Sequence, residues 1–116
     1  MTIKILHNPR CSKSRATLAL LEKRGIEPEI ILYLQTPPTA DELRSIVDKL
    51  GLSARELMRK GEAEYRELGL AVRTLDEDEL IEIMVGHPRL IERPIVLANE
   101  QAAVGRPPES VLGILE

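Results

Sequence analysis

Tryptophan and phenylalanine are absent from this 116-residue sequence, and tyrosine occurs only at Tyr33 and Tyr65. A core without aromatic bulk must be filled by Leu, Ile and Val, and the stacking platforms used to hold single-stranded nucleic acid are nearly missing. Cysteine occurs once, as Cys11. That excludes an internal disulfide and any cysteine-based metal cluster, leaving a buried spectator or a reactive thiol. No apolar run approaches the ~20 residues of a membrane-spanning helix, and Met1–Leu6 is too short for a secretory core segment. The expected location is cytoplasmic. A formal charge of -3 gives no general attraction to nucleic acid or to an anionic membrane, so neither is an expected partner. Gly-rich phosphate loops, zinc-ligand clusters and a Ser-His-Asp order are also lacking, and no metal or bound cofactor is expected.

What is present, 43% hydrophobic residues in a chain of this length, fits one domain spanning residues 1–116. Ile3 and Ile5 alternate with polar neighbours in a short first strand. Ser12–Lys23 carries helix formers and stops at Gly25, and Ile30–Leu34 is a continuous apolar run that reads as a buried parallel strand. The chain therefore opens as βαβ. Thr39-x-x-Glu42 and Ser53-x-x-Glu56 are capping-box signatures for two helices, the first ending at Gly51 and the second near Gly61. Glu62–Leu68 and Asp76–Val85, with Gly86 as its stop, suggest two more. Pro94 then opens the strand Ile95–Ala98; Asn99-Glu100 turns the chain, Gln101–Val104 returns, and Pro107-Pro108 starts a closing helix with Val111, Leu112, Ile114 and Leu115. The order βαβ, helices, ββα is an α/β, thioredoxin-like plan with an all-helical insertion at about residues 39–86.

Cys11 falls between the first strand and its helix, where unpaired N–H groups and the helix dipole favour a thiolate. Its neighbours Asn8, Pro9, Arg10, Ser12, Lys13 and Ser14 are too polar for a core, which favours the reactive reading. His7, Lys13 and Arg15 are candidates for added positive potential. His7 is also a candidate general acid or thiolate stabiliser, against the alternative that it only ends the strand. Cys11-Ser12-Lys13-Ser14 has C-x-x-C spacing with serine in the second place, so a disulfide partner must come from outside: glutathione or a thiol protein. Arginine forks match tetrahedral oxyanions. Arg59, at the end of an insertion helix, Arg93, before a candidate cis Pro94, and Arg106, between hairpin and last helix, stand out by location, although spacing alone does not gather them around Cys11. His87 is read as complementing a helix C-terminus, and Asp76-Glu77-Asp78-Glu79 as acids favoured in a helix's first turn rather than a metal site.

The stretch His7-Asn8-Pro9-Arg10-Cys11-Ser12-Lys13-Ser14-Arg15 resembles the active-site signature of the glutaredoxin-coupled arsenate reductase (ArsC) family. Ile31–Leu34, Leu57–Lys60, Glu92–Val96 and Gly105–Pro107 also look like family motifs, so the resemblance covers essentially the whole chain. Ser12-Lys13-Ser14 stands where plasmid-type members have Gly-Thr-Ser, which makes the chain more similar to the YfgD-like branch. The resemblance implies an arsenate reductase with Cys11 as nucleophile, Arg59, Arg93 and Arg106 as oxyanion-binding residues, and His7, Ser14 and Arg15 in secondary positions. It further implies that the Cys11 thiolate forms an adduct with arsenate, that glutathione attacks as co-substrate, and that glutaredoxin removes the glutathione while arsenite leaves. Two alternatives remain open. One is a regulator similar to Spx-type proteins, which bind RNA polymerase but typically carry C-x-x-C; the other is a general glutathione-dependent thiol redox protein.

Overall fold

The computed structural model describes residues 3–115. They form two compact units: one runs up to Thr36 and resumes at Arg93, and the other is Pro37–Glu92. In the first unit, β1 (Lys4–Leu6), β2 (Glu29–Ile31), β3 (Ile95–Ala98) and β4 (Gln101–Val104) form a sheet in the order β2-β1-β3-β4. β1 and β2 are parallel, joined through helix α1 (Ser12–Lys23), while β1–β3 and β3–β4 are antiparallel. This is the thioredoxin-like plan.

The sheet core is aliphatic, as the missing aromatics require. Ile5 and Leu21 pack with Val96, Ala98, Val111 and Ile114, all buried. Each fully buried Val, Leu or Ile among them contributes about 1.5–3 kcal/mol of transfer free energy. Asn99 and Glu100, with φ of 53° and 60°, make the tight β3–β4 turn, whose twist suits a two-residue hairpin. Asn99 Nδ2 also donates to the Ile114 carbonyl at 2.8 Å, tying the turn to the closing helix.

Two expected elements differ. The apolar run after Glu29 stays extended only to Ile31, and β2 is an edge strand with Ile30 47% exposed rather than a buried one. Pairing with β1 ends there, and the Gln35 and Thr36 N–H groups both turn back to the Leu32 carbonyl, which carries Tyr33 inward to full burial. The closing helix, Pro108–Ile114, is 3-10 rather than α. With three residues per turn, Val111 and Ile114 fall on one face, and both are buried. Arg93–Pro94 is cis, and so is Arg106–Pro107.

The second unit is helical. Thr39 and Ser53 form the expected capping boxes at α2 (Ala40–Leu50) and α3 (Ala54–Leu57), and Gly51 ends α2 in the left-handed region at φ 69°. Helix α3 is shorter than expected, because Met58 leaves it to bridge Ile91, with the Arg59 N–H on the Leu90 carbonyl and the Glu92 N–H on the Leu57 carbonyl. Arg59 therefore lies on an extended segment, not at a helix end. Helices α4 (Ala63–Glu67) and α5 (Glu77–Gly86) complete the unit with a 3-10 turn, Pro88–Leu90. Gly86 is the last residue of α5, not its stop, and His87 is the residue that follows. Each acid of the 76–79 run has a structural use. Asp76 and Glu79 form the capping box of α5, Glu77 accepts the Ala54 N–H at the start of α3, and Asp78 pairs with Arg44.

Candidate active site

Cys11 is the N-cap residue of α1, with an extended backbone (φ -94°, ψ 123°) that aims the chain into the helix. Its N–H bonds the Asn8 carbonyl at 3.0 Å, and its own carbonyl receives the Arg15 N–H, the first turn of the helix. Asn8 Oδ1 accepts the Arg10 N–H at 3.0 Å, an Asx turn that closes the loop just ahead of the thiol. Ser14 Oγ sits 2.6 Å from His7 Nδ1 and accepts the Asn8 N–H at 3.0 Å. His7, Asn8, Cys11 and Ser14 are all buried. Pro9, Arg10, Ser12 and Lys13 stay exposed, while hydrogen bonds within the loop satisfy the polar groups that are buried and whose burial would otherwise be costly.

Burial of the Cys11 thiol works against its ionisation. The Ser14 N–H, the Arg93 guanidinium and the Lys13 N–H oppose that effect and outweigh it, so the thiol is held below its ordinary pKa. Arg106 Nη2 lies 3.5 Å from Cys11 Sγ, and Arg106 Nε donates to the Arg93 carbonyl at 2.7 Å. One side chain therefore links the cis-proline segment to the sulfur. Gly105 makes this approach possible: a Cβ there would overlap Thr17 Oγ1 and come within 2.8 Å of Pro94 Cγ. Thr17, itself fully buried, is fixed by its hydroxyl on the Lys13 carbonyl at 2.8 Å.

The structure thus brings Arg93 and Arg106 to Cys11, an arrangement that can hold a tetrahedral anion against an ionised thiol. Arg59 belongs to the helical unit, where Nε meets Glu62 at 3.2 Å and Nη1 meets Glu92. For His7, burial first and the neighbouring Arg15 second depress the pKa and favour the neutral ring over a source of positive potential. Arg15 is spent on the loop, with Nη1 on the Pro9 carbonyl at 2.9 Å, and Lys13 contributes through its backbone N–H. Sequence reasoning missed Asn8, Thr17 and Gly105. Asn8 was visible as an Asx-turn residue two positions before Arg10, and Thr17 as the polar residue one turn ahead of Leu21 on α1. Only the crowding around Gly105 had no local signal.

The ArsC family model matches residues 6–114, which includes every residue of this site. The chain belongs to the ArsC family. It is 58% identical over 114 residues to the Escherichia coli K12 protein YfgD, covering 97% of this chain and 96% of that one. It is equally identical, over the same length, to the arsenate reductase of Neisseria meningitidis serogroup B, with 97% of each chain covered. Among solved structures, the arsenate reductase from Vibrio cholerae superposes with a TM-score of 0.95 at 53% identity, over 99% of this chain and 98% of that one. Within the ArsC family this places the chain with the YfgD-like branch, the relation that Ser12-Lys13-Ser14 already suggested.

Proposed function

We propose that this chain is an arsenate reductase in which the Cys11 thiolate attacks arsenate held by arginines. The observation that carries the reading is the Cys11 thiol at the head of α1, lowered in pKa and approached by both Arg93 and Arg106. In the first step Sγ forms a bond to As(V), and an arsenic-bound oxygen leaves as water after protonation. A glutathione thiol then attacks; the two sulfurs join, and the electron pair released reduces As(V) to As(III), which departs as arsenite. Glutaredoxin removes the glutathione from Cys11 by thiol–disulfide exchange. Cys11 has no partner cysteine in the chain, so the second electron-donating thiol must be external. Arg59 is assigned as a third oxyanion-binding arginine by family resemblance; its carboxylate partners Glu62 and Glu92 hold the fork in one orientation.

The test is arsenite production from purified protein and arsenate with glutathione, glutaredoxin and an NADPH-coupled glutathione reductase. Turnover should require both thiol components and should vanish in Cys11→Ser. Undiminished turnover in Cys11→Ser, or equal turnover with no thiol added, overturns the mechanism. A reactive Cys11 with no arsenite under complete conditions replaces it with general glutathione-dependent thiol redox chemistry.

A further inference from the structure

One peptide group, that between Lys13 and Ser14, joins the Cys11 sulfur to a buried hydroxyl. Its N–H belongs to Ser14, the third residue of α1 after the Cys11 N-cap, and this is the position whose donor a capping side chain receives. Cys11 closes no regular capping bond of the kind a hydroxyl makes. Against the cost of burial, however, the Ser14 N–H is the foremost of the groups that favour the ionised sulfur. The other end of the same peptide, the Lys13 carbonyl, accepts the Thr17 hydroxyl at 2.8 Å. A trans peptide group is planar, with its C=O and N–H pointing opposite ways, so whatever grips the oxygen also sets the direction of the N–H.

Threonine hydroxyls often bond back to the carbonyl four residues earlier, and by itself that contact means little. Two features make this one different. The α-helical pattern already directs the Thr17 N–H to the Lys13 carbonyl, so the hydroxyl is a second donor on an acceptor that has one. Thr17 is fully buried, and in a surrounding of low dielectric the added donor polarises the amide and strengthens the N–H at its far end. Packing holds the side chain in place: a Cβ at Gly105 would overlap Thr17 Oγ1 and come within 3.1 Å of Cγ2, and Gly105 is itself pinned by its N–H on the Pro94 carbonyl at 2.9 Å. We infer that Thr17 is a positioning residue for the nucleophile: through the Lys13–Ser14 peptide, its hydroxyl aims and strengthens the N–H that stabilises charge on Cys11 Sγ. The charged groups facing the sulfur, Arg93 and Arg106, come instead from the segments before β3 and after β4, and the nearby His7 ring is bonded to the Ser14 hydroxyl. The inference deepens the proposed function and rests on Cys11 as its nucleophile.

The test needs no arsenic, so it stands apart from the reductase assignment. Ionisation of Cys11 is followed by thiolate ultraviolet absorbance against pH, with Cys11→Ser as the blank. Thr17→Val keeps the shape of the side chain and removes the hydroxyl, and because the Lys13 carbonyl retains its helical N–H, no buried acceptor is orphaned and the fold should survive. Thr17→Ser does the opposite, losing the methyl and keeping the hydroxyl. The titration midpoint should move up in Thr17→Val, leaving about threefold less thiolate at a pH well below the wild-type midpoint, and should return to the wild-type position in Thr17→Ser. Thr17→Ser should nonetheless melt below wild type, since it loses a buried methyl, so stability and ionisation part company. Should Thr17→Val not fold, Thr17→Ala beside Thr17→Ser gives the same comparison, because both lack the methyl and only one carries the hydroxyl. An unmoved midpoint in the variant without the hydroxyl overturns the inference. So does a midpoint raised equally in Thr17→Ser, which assigns the effect to packing. If the midpoints move as stated and arsenite is never produced, the positioning role holds and the reductase reading fails; if arsenite is produced and the midpoints do not move, the reverse holds.

Discussion

Ser14 Oγ lies 2.6 Å from His7 Nδ1 while accepting the Asn8 N–H, so one hydroxyl holds the strand end and the nucleophile loop together. Ser14 is fully buried. Ser14→Ala leaves a buried imidazole nitrogen and a buried N–H without this partner, at a cost of about 1–3 kcal/mol. Thermal melts should show it, at roughly 4 °C per kcal/mol for a domain of this size. Cys11 alkylation at neutral pH should slow as well, because the loop that presents the Ser14 N–H to the thiol loses its anchor. Melts and alkylation rates indistinguishable from wild type would remove Ser14 from the site.

Burial and Arg15 both favour the neutral form of His7, which fixes the sign of its pH effect. The folded-state pKa lies below the unfolded value of about 6.5, so the unfolded chain binds the extra proton first as pH falls. Stability attached to His7 is complete above about pH 6.5 and is lost as pH drops through the folded pKa. His7→Gln should therefore melt with a shallower pH dependence than wild type between about pH 7.5 and 5. An equal slope in the two proteins would mean that His7 titrates as it does in the unfolded chain.

For Cys11 the depressed pKa concerns an acid, and the thiolate is the form the fold prefers. Its stabilising contribution is present above the free-thiol value of about 8.5 and is lost as pH falls through the folded pKa. Alkylation rate against pH should give a midpoint below about 8.5 in wild type. In Arg93→Gln, where the guanidinium's hydrogen bond and charge are gone, the midpoint should move up. A wild-type midpoint at or above the free value contradicts the activated nucleophile.

Elements set by neighbours in sequence were legible, and those set by distant partners were not. Thr39-x-x-Glu42 and Ser53-x-x-Glu56 announced their helix starts because a capping box closes over three residues. The Asn99-Glu100 hairpin closes over two. By contrast, Ile30–Leu34 is apolar enough for a buried strand, yet its length was decided by where β1 stops offering partners and its exposure by its place at the sheet edge. The site divides along the same line. The helix-start position of Cys11 could be read from its flanking residues, whereas the meeting of Arg93 and Arg106 at its sulfur depends on contacts far apart in the sequence. For Arg59, a short α3 and an extended Met58 gave an environment of two carboxylates that no local pattern indicated.

Gly105 is held where side chains crowd its Cα. Gly105→Ala forces Thr17 or Pro94 to move, and overpacking of this kind typically costs about 1–3 kcal/mol. Because Arg106 is the next residue, the shift should also loosen its approach to Cys11, so Tm and alkylation rate should fall together. Adding Thr17→Ala removes two of the three atoms nearest the new Cβ, with Pro94 Cγ at 2.8 Å still in place, and should recover part of the Tm. A Gly105→Ala protein as stable as wild type would show that the β4 end yields without strain.

Arg106 performs two tasks with one planar group: Nε holds the Arg93 carbonyl at 2.7 Å, and Nη2 reaches Cys11 Sγ at 3.5 Å. An ammonium keeps the charge but is a single point on a flexible stem, so Arg106→Lys can serve either partner but not both. Hydrogen bonds to charged groups are worth about 1.5–3 kcal/mol, and each 1.36 kcal/mol is a factor of ten in rate. Arg106→Lys should therefore lower kcat/KM for arsenate by about 10–100-fold. The fold should survive, because Arg106 is exposed and the sheet core lies elsewhere. The split between constants separates the two tasks. A rise confined to KM would mean that Arg106 only binds the oxyanion, and a matching fall in kcat would mean that it acts on the anionic adduct at the sulfur. Wild-type kcat/KM in the lysine variant would show that charge alone suffices and that the fork between Arg93 and Cys11 has no part in turnover.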